Sequence, residues 1–419
     1  EVVVLEKMPM IGGNTVRAEG GINAAETPQQ KKAGIPDTID QFYADTMKGG
    51  HNLNDPALVR TLTTHAKDAV AWLVSLGADL NTVGRAGGAK YPRAHRPTDG
   101  SAIGPEVIRV LWKAAKDRKM DVRTQTRATE IIMKDGRVAG VKATTKDGKV
   151  YTIDAKAVVL ATGGFGANQD MLVKYQPKLK GYATTNQPGA TGDGIILAEH
   201  AGAALVDMKQ IQAHPTAAPD GTLISESVRG DGGILINAEG KRFTNELLTR
   251  DVVSAAELKQ PGRFAWVFWD DATRKSAKLM DSYISMGLAV KGNTVAEIAK
   301  AMNVPAAELE ATLKAYAAGK AAGKDAFGRA DMPQAMQTAP FFAVKVQPAV
   351  HHTMGGVKID TKAEVLNPAG HTIPGLFAAG EVTGGVHGGN RLGGNAQADI
   401  VTFGRIAGQS ADAYLKSAK

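Results

Sequence analysis

Apolar residues open the chain in an unbroken run closed by an acid. Glu-Val-Val-Val-Leu-Glu over positions 1–6 predicts a strand buried on both faces, as in a parallel sheet. Leu58, Leu62, Ala66, Val70, Leu73 and Leu76 then recur at helical spacing. Asp55-Pro56 offers a cap and a first-turn proline at one end of that helix, and Gly77 a stop at the other. A second helix is expected over roughly 105–118. From Ile131 to Val159 the pattern is that of strands, with Asp135-Gly136 and Asp147-Gly148 as hairpin turns. The apolar run 157–160 leads directly into Ala161-Thr162-Gly163-Gly164.

After about Met208 the texture changes. A short strand at 234–236 and a turn at 237–240 precede polar and alanine-rich helices to about Gly323. Glycine turns then return, with a strand from Gly375 into Gly380-Glu381. A last helix starts at Gly394, with Ala396, Ile400, Phe403 and Ile406 on one face. A core that is left and re-entered marks an insertion. The expected fold is therefore α/β: a Rossmann-like dinucleotide-binding domain over 1–208 and 352–419, with an inserted antiparallel meander. An inserted α+β capping domain covers 209–351. In such βαβ units an acid closing the second strand binds the adenosine ribose, a role that suits Glu6. The first strand and its Gly-x-Gly-x-x-Gly turn are then expected upstream of Glu1, and the chain reads as a piece of a longer one.

Composition sharpens this picture in three respects. The 48 glycines often come in pairs, which suits backbone closely applied to an extended nucleotide cofactor. The formal charge of +8 is scattered, consistent with a solvated basic surface or with steering of an anionic substrate. With 5% aromatics and no reader motif, nucleic acid is not an expected partner. The absence of cysteine excludes disulfides, thiolate-bound iron–sulfur clusters and covalent haem within these residues. No apolar stretch approaches the roughly 20 residues of a membrane span.

Three segments carry candidate chemistry. His214 lies just before Pro215 in extended backbone, and a lone histidine there is more often structural than functional. Its company, Ser225-Glu226-Ser227-Val228-Arg229 and Thr249-Arg250-Asp251, changes the weighting. Glu226 and Arg229 are three apart, so a helical turn would face them as a surface ion pair. In His351-His352-Thr353-Met354-Gly355-Gly356, adjacent histidines on a strand point to opposite sides, one toward substrate and one toward cofactor. The run from Gly380 to Ala396 combines glycines, Arg391 and a helix start. It offers free N–H groups, a positive dipole end and a guanidinium fork for a carboxylate.

These motifs resemble the flavoprotein family of fumarate reductases and succinate dehydrogenases, and within it the soluble flavocytochrome c fumarate reductases. The likeness runs from Glu6-Lys7 and Ile11-Gly12-Gly13-Asn14 to Arg391-Leu392-Gly393-Gly394-Asn395. It implies non-covalent FAD, a capping domain and reduction of fumarate to succinate, with a periplasmic location. By resemblance, His214 and Ser225 hold one substrate carboxylate and His351 and Arg391 the other, with Gly20, Gly21 and Gly394 alongside. Arg250 is then the proton donor, resupplied through Glu226 and Arg229. On the cofactor side stand Glu6, Asn14, Thr15, Gly20, Gly21, Ala128, Asp193, His352, Glu381, Ala396 and Gln397. The family also binds a cation, often sodium, near Thr353, Gly355, Glu381 and Thr383. Ser225 departs from the family's threonine but keeps the hydroxyl. No haem motif is present, so electrons would come from an external donor such as a c-type cytochrome or haem domain. The competing readings are an enoate reductase for urocanate, methacrylate or a cinnamate-like acid, a ketosteroid dehydrogenase, and a flavin-binding electron-transfer module.

Overall fold

A computed structural model describes residues 1–276 and 278–417. Both hairpins form as their turn residues dictate. Asp135 and Gly136 take φ of +51° and +75°, the pair of positive values a tight two-residue hairpin needs. They join Thr126–Lys134 to Arg137–Thr145, and Val150–Asp154 completes an antiparallel three-stranded meander. The helix Pro56–Ser75 begins where expected. The Asp55 carboxylate accepts from the N–H of Ala57 (2.8 Å) and Leu58 (3.3 Å). The second helix spans Ile103–Asp117.

Val3–Leu5 pairs in parallel with Asp121–Arg123, and Val158–Leu160 in parallel with Thr372–Ala378. The second pairing joins two segments more than 200 positions apart, as a left and re-entered core requires. Val2 and Val4 near the first pair, and Val159 on the second, stay exposed.

The largest change from the sequence reading lies in the middle of the chain. Residues read only as helical there also supply two strands, Ala265–Asp270 and Ala289–Gly292, of a five-stranded antiparallel sheet. Ala265–Asp270 is its fully buried centre, flanked by Ile234–Ile236 and by the long strand Phe341–Thr353. Trp266 and Phe268 enter one apolar cluster, while Ala265, Val267 and Trp269 enter another on the opposite face. Burial on both faces removes the polar alternation that would have announced the strand. Those two clusters lie within 224–346, and a third, larger one draws on 22–208 and 350–411. Phe341–Thr353 runs without a break through the expected boundary at 351/352 and carries both histidines, although its ladder with Ile211–Ala217 shifts register at His351.

The last helix, Asn395–Ser417, packs against Pro56–Ser75 and Thr372–Ala378. Its buried face is Ala398, Val401, Phe403, Ala407 and Ala411, leaving Ile400 and Ile406 only half-buried. Asn23 ties the start of this helix to the loop after Gly21, donating to Gly393 O and Asn395 Oδ1 at 2.7 Å each. Gly394 adopts φ +82°, and any Cβ there would lie 2.2 Å from Asn23 Oδ1, so only glycine fits.

Beneath the same loop Arg93 is buried between Asp37 (2.9 Å) and Asp45 (2.8 Å). Arg93→Ala leaves two carboxylates without their cation, and a loss of about 3–5 kcal/mol is expected in urea denaturation. A loss below about 1 kcal/mol would show that this pair does not organise the loop.

Candidate active site

The site is built where strand Ile211–Ala217 pairs antiparallel with Phe341–Thr353. Pro215 has no N–H to give the ladder, and the register shifts between His214 and Ala217. The His214 ring meets His351, with centroids 4.9 Å apart. One position on, His352 faces the other way, toward Glu381 (3.5 Å) and His387. The strand alternation thus separates the two histidines as expected.

His214 is fully buried. The Thr216 N–H donates to its Nδ1 at 3.2 Å, so the proton resides on Nε2, which has no partner among the described residues. Burial, then Arg250, His351, Arg229 and Arg391, push this imidazole well below its ordinary range. His214 is therefore a neutral donor with one free N–H. Burial, Arg250 and Arg391 likewise keep His351 neutral, and its Nδ1 lies 2.7 Å from the Thr185 hydroxyl. Arg391 is buried, with one amino group on Leu392 O (3.1 Å) and Nε without a partner among the described residues. Burial, with Arg250 nearby, pushes its guanidinium down to about 9, an imbalance that a bound carboxylate would correct.

Arg250 opens the helix Arg250–Glu257. Its Nε donates to Glu226 Oε2 at 2.7 Å and a terminal nitrogen to Gln212 Oε1 at 3.1 Å. Gln212 in turn donates to Asn390 Oδ1 and to Arg391 O, each at 2.7 Å, linking the two arginines. Glu226 Oε1 accepts from the Gly87 N–H at 2.7 Å. Burial opposes ionisation of Glu226, but Arg250 and Arg229 outweigh it and hold the carboxyl below its usual range. Gly87 and Gly393 make this possible, since a Cβ at either would come within 2.6 Å of a Glu226 oxygen.

One expectation fails here. Glu226 and Arg229 do not form a surface pair: both are buried, and Glu226 is taken by Arg250. Arg229 instead donates to Glu246 O (2.7 Å), leaving Nε and one amino group unpartnered among the described residues. Arg250, arriving from another helix, occupies Glu226 Oε2, while the Arg229 guanidinium is drawn to the Glu246 carbonyl.

The other expected residues lie as follows. Ser225 caps the helix Glu226–Gly230, accepting from the Ser227 N–H at 3.2 Å. Glu6 accepts from the Met8 N–H (2.7 Å), and Asn14 bridges Asn186 and the Gln187 N–H. Thr15 begins the turn Thr15–Arg17, and Ala128 lies in the meander. Asp193 is engaged by Lys7 (3.1 Å) and Arg127 (2.8 Å). Glu381 accepts from the Thr353 N–H (2.9 Å) and hydroxyl (3.2 Å), while the Thr383 hydroxyl turns to Gly380 O (2.8 Å). Gly355 and Gly356 abut the backbone of Asp207 and Val382. Gln212, Thr185, Asn186, Asn390 and Glu257 were not anticipated as site residues. Asn390 lay inside the Gly380–Ala396 run already singled out, and Glu257, buried and close enough to Arg229 to feel its charge, falls two helical turns beyond Arg250 on the same face.

The cofactor side fits a dinucleotide. Gly13 and Gly163 have positive φ and open space where a side chain would project. His352 Nε2 and Gln397 Oε1 are buried without partners among the described residues, a cost of about 1–3 kcal/mol each unless a polar ligand edge meets them. Glycine turns at the ends of parallel strands, beside a cationic pocket, are the architecture of a nucleotide-cofactor enzyme.

Comparisons with known proteins agree. The FAD binding domain family model matches residues 1–396. A fumarate reductase (cytochrome) of Shewanella frigidimarina is 49% identical across 99% of this chain and 73% of that protein. A urocanate reductase of Eggerthella lenta is 35% identical over 98% of this chain and 70% of its own. The open conformation of a flavocytochrome c3 fumarate reductase superposes with a TM-score of 0.80 at 47% identity, covering 99% of this chain and 74% of that one. The chain belongs to the FAD-binding flavoprotein family of the fumarate reductases and is an FAD-dependent oxidoreductase. No helix among the described residues is long and apolar enough to cross a membrane.

Three imidazoles, buried His214 and His352 and half-buried His351, are held below their ordinary range, desolvation being the main cause in each. Their stabilisation is fully present above about pH 6.5 and is lost as pH falls toward their depressed values. Stability should fall by up to about 1.4 kcal/mol per pH unit for each such group below pH 6. Denaturation of wild type and His352→Gln at pH 7 and 5 checks this; equal slopes would remove His352 from the account.

Proposed function

We propose that the protein reduces fumarate to succinate, with FAD between the glycine turns and the substrate between His214, His351, Arg250 and Arg391. One observation carries the reading: buried, partly unpartnered donors from four separate segments converge beside the cofactor side of the fold. When bound and reduced, FAD supplies the hydride that an activated alkene accepts.

The chain's own groups do the rest. Arg391 and neutral His351 hold one carboxylate, and the free Nε2–H of His214 with the Ser225 hydroxyl holds the other. Gripping both ends orients the alkene, converting binding energy into alignment. Cationic donors also favour the negative charge that builds up on the substrate during reduction. Arg250 delivers the proton to the neighbouring carbon. A guanidinium is a weak acid, so it needs a basic acceptor and prompt resupply. Glu226, 2.7 Å away, and Arg229 beside it serve that resupply.

The same reading assigns 209–351 as the capping domain and a sodium ion to the carbonyl-rich corner of Thr353, Gly355, Glu381 and Thr383. A c-type cytochrome or haem domain is the electron donor, in the periplasm. Melting in sodium against potassium chloride tests the ion; identical curves would dismiss it. A second reading, an enoate reductase for a urocanate-like monocarboxylate, draws on the 35% identical urocanate reductase. A panel of enoates with reduced viologen as donor separates the two.

Arg250→Gln should lower turnover by about 100- to 10,000-fold while FAD stays bound. Near-normal turnover would exclude Arg250 as the acid. Arg391→Met should weaken fumarate binding by about 1.5–3 kcal/mol, roughly ten- to hundred-fold in KM. An unchanged KM would contradict the clamp.

A further inference from the structure

Glu19 precedes the Gly20-Gly21 pair and has no part in the mechanism above. Its half-buried side chain meets Tyr283, which donates to Glu19 Oε2 at 2.6 Å. Tyr283 is fully buried on the helix Leu279–Ser285, and its oxygen also accepts from the Ser225 N–H at 2.9 Å. A carboxyl group, a phenol and the capping residue of Glu226–Gly230 thus form one chain of hydrogen bonds at the Ser225 end of the pocket. The loop is held from behind, with the Gly104 N–H on Ala18 O at 2.8 Å.

The charged groups on neighbouring elements are already engaged. Arg96, beside Gly21, pairs with Asp231 at 3.2 Å. Arg17 reaches the Thr185 and Asn186 carbonyls at 3.4 Å. Arg274 and Asp281 pair at 2.6 Å next to Tyr283, and Lys278 reaches Asp99 at 3.4 Å. Burial and Glu19 itself keep the Tyr283 phenol protonated, so Glu19 is the member of this hydrogen-bonded chain whose ionisation adds a charge. Burial foremost pushes its carboxyl up to about 8, partly offset by the Tyr283 hydroxyl and the Ser225 N–H.

We propose that Glu19 is a specificity-determining residue at the Ser225 end of the pocket. As a neutral acid joined to Tyr283 it admits the second carboxylate of a dicarboxylic substrate, and as an anion it repels it. Binding at the Arg391 end is untouched by this switch, so a monocarboxylate should not sense it. The sign follows from the direction of the shift: dicarboxylate affinity is full well below pH 8 and falls as Glu19 ionises through that value.

This rests on the dicarboxylate pocket proposed above, and equilibrium binding tests it apart from turnover. The oxidised FAD holoenzyme is titrated with succinate and with propionate from pH 6.5 to 9.5, read by the flavin spectrum. The succinate Kd should rise toward tenfold per pH unit above about 8 in the wild type, as the competent fraction shrinks. In Glu19→Gln the succinate curve should follow that of propionate, which reports only Arg391 and its surroundings. Tyr283→Phe, which removes a donor to the carboxylate, should move the inflection upward. A succinate rise that persists in Glu19→Gln, or that propionate shows equally in the wild type, overturns the proposal. Gated succinate binding without fumarate turnover would uphold it and overturn only the assigned reaction.

Discussion

The site depends on one buried ion pair, Arg250 with Glu226. Taking two charges out of water is expensive, and their attraction compensates only when geometry and further hydrogen bonds are complete. Here they nearly are: Glu226 also receives the Gly87 N–H, and Arg250 also donates to Gln212. Such a pair contributes little net stability over an apolar substitute. Two glycines, Gly87 and Gly393, give up side chains so that backbone can close around the carboxylate.

From this pair the rest of the pocket follows. Gln212 passes the constraint to Asn390 and to the Arg391 carbonyl, so the two guanidiniums keep a fixed relation without touching. Their combined field, added to burial, keeps His214 and His351 neutral and makes them donors without further positive charge. An anionic guest then finds donors already oriented, with little reorganisation left to make on binding. The long strand Phe341–Thr353 sets where this happens, because its ladder joins the inserted sheet to the cofactor side.

Much of this was legible beforehand. The Asp135-Gly136 hairpin, the Asp55-Pro56 helix start and the opposed His351 and His352 follow from local rules, since turn dihedrals, caps and strand alternation act within a few residues. The glycine-rich run to Arg391 and the family resemblance brought the same residues together by kind. Strand Ala265–Asp270 was not legible, because burial on both faces erases its period.

The sequence by itself determined which chemical groups are available and where local turns, caps and strand faces present them. Tertiary structure alone decided their partners: Glu226 takes Arg250, 24 positions away, rather than Arg229, and Gln212 meets Asn390 across 178. It also fixed the His214 proton on Nε2, through the way Thr216 folds back at the Pro215 irregularity. Those choices depend on which donors and acceptors packing shuts away from water together, and that is a property of the assembled core.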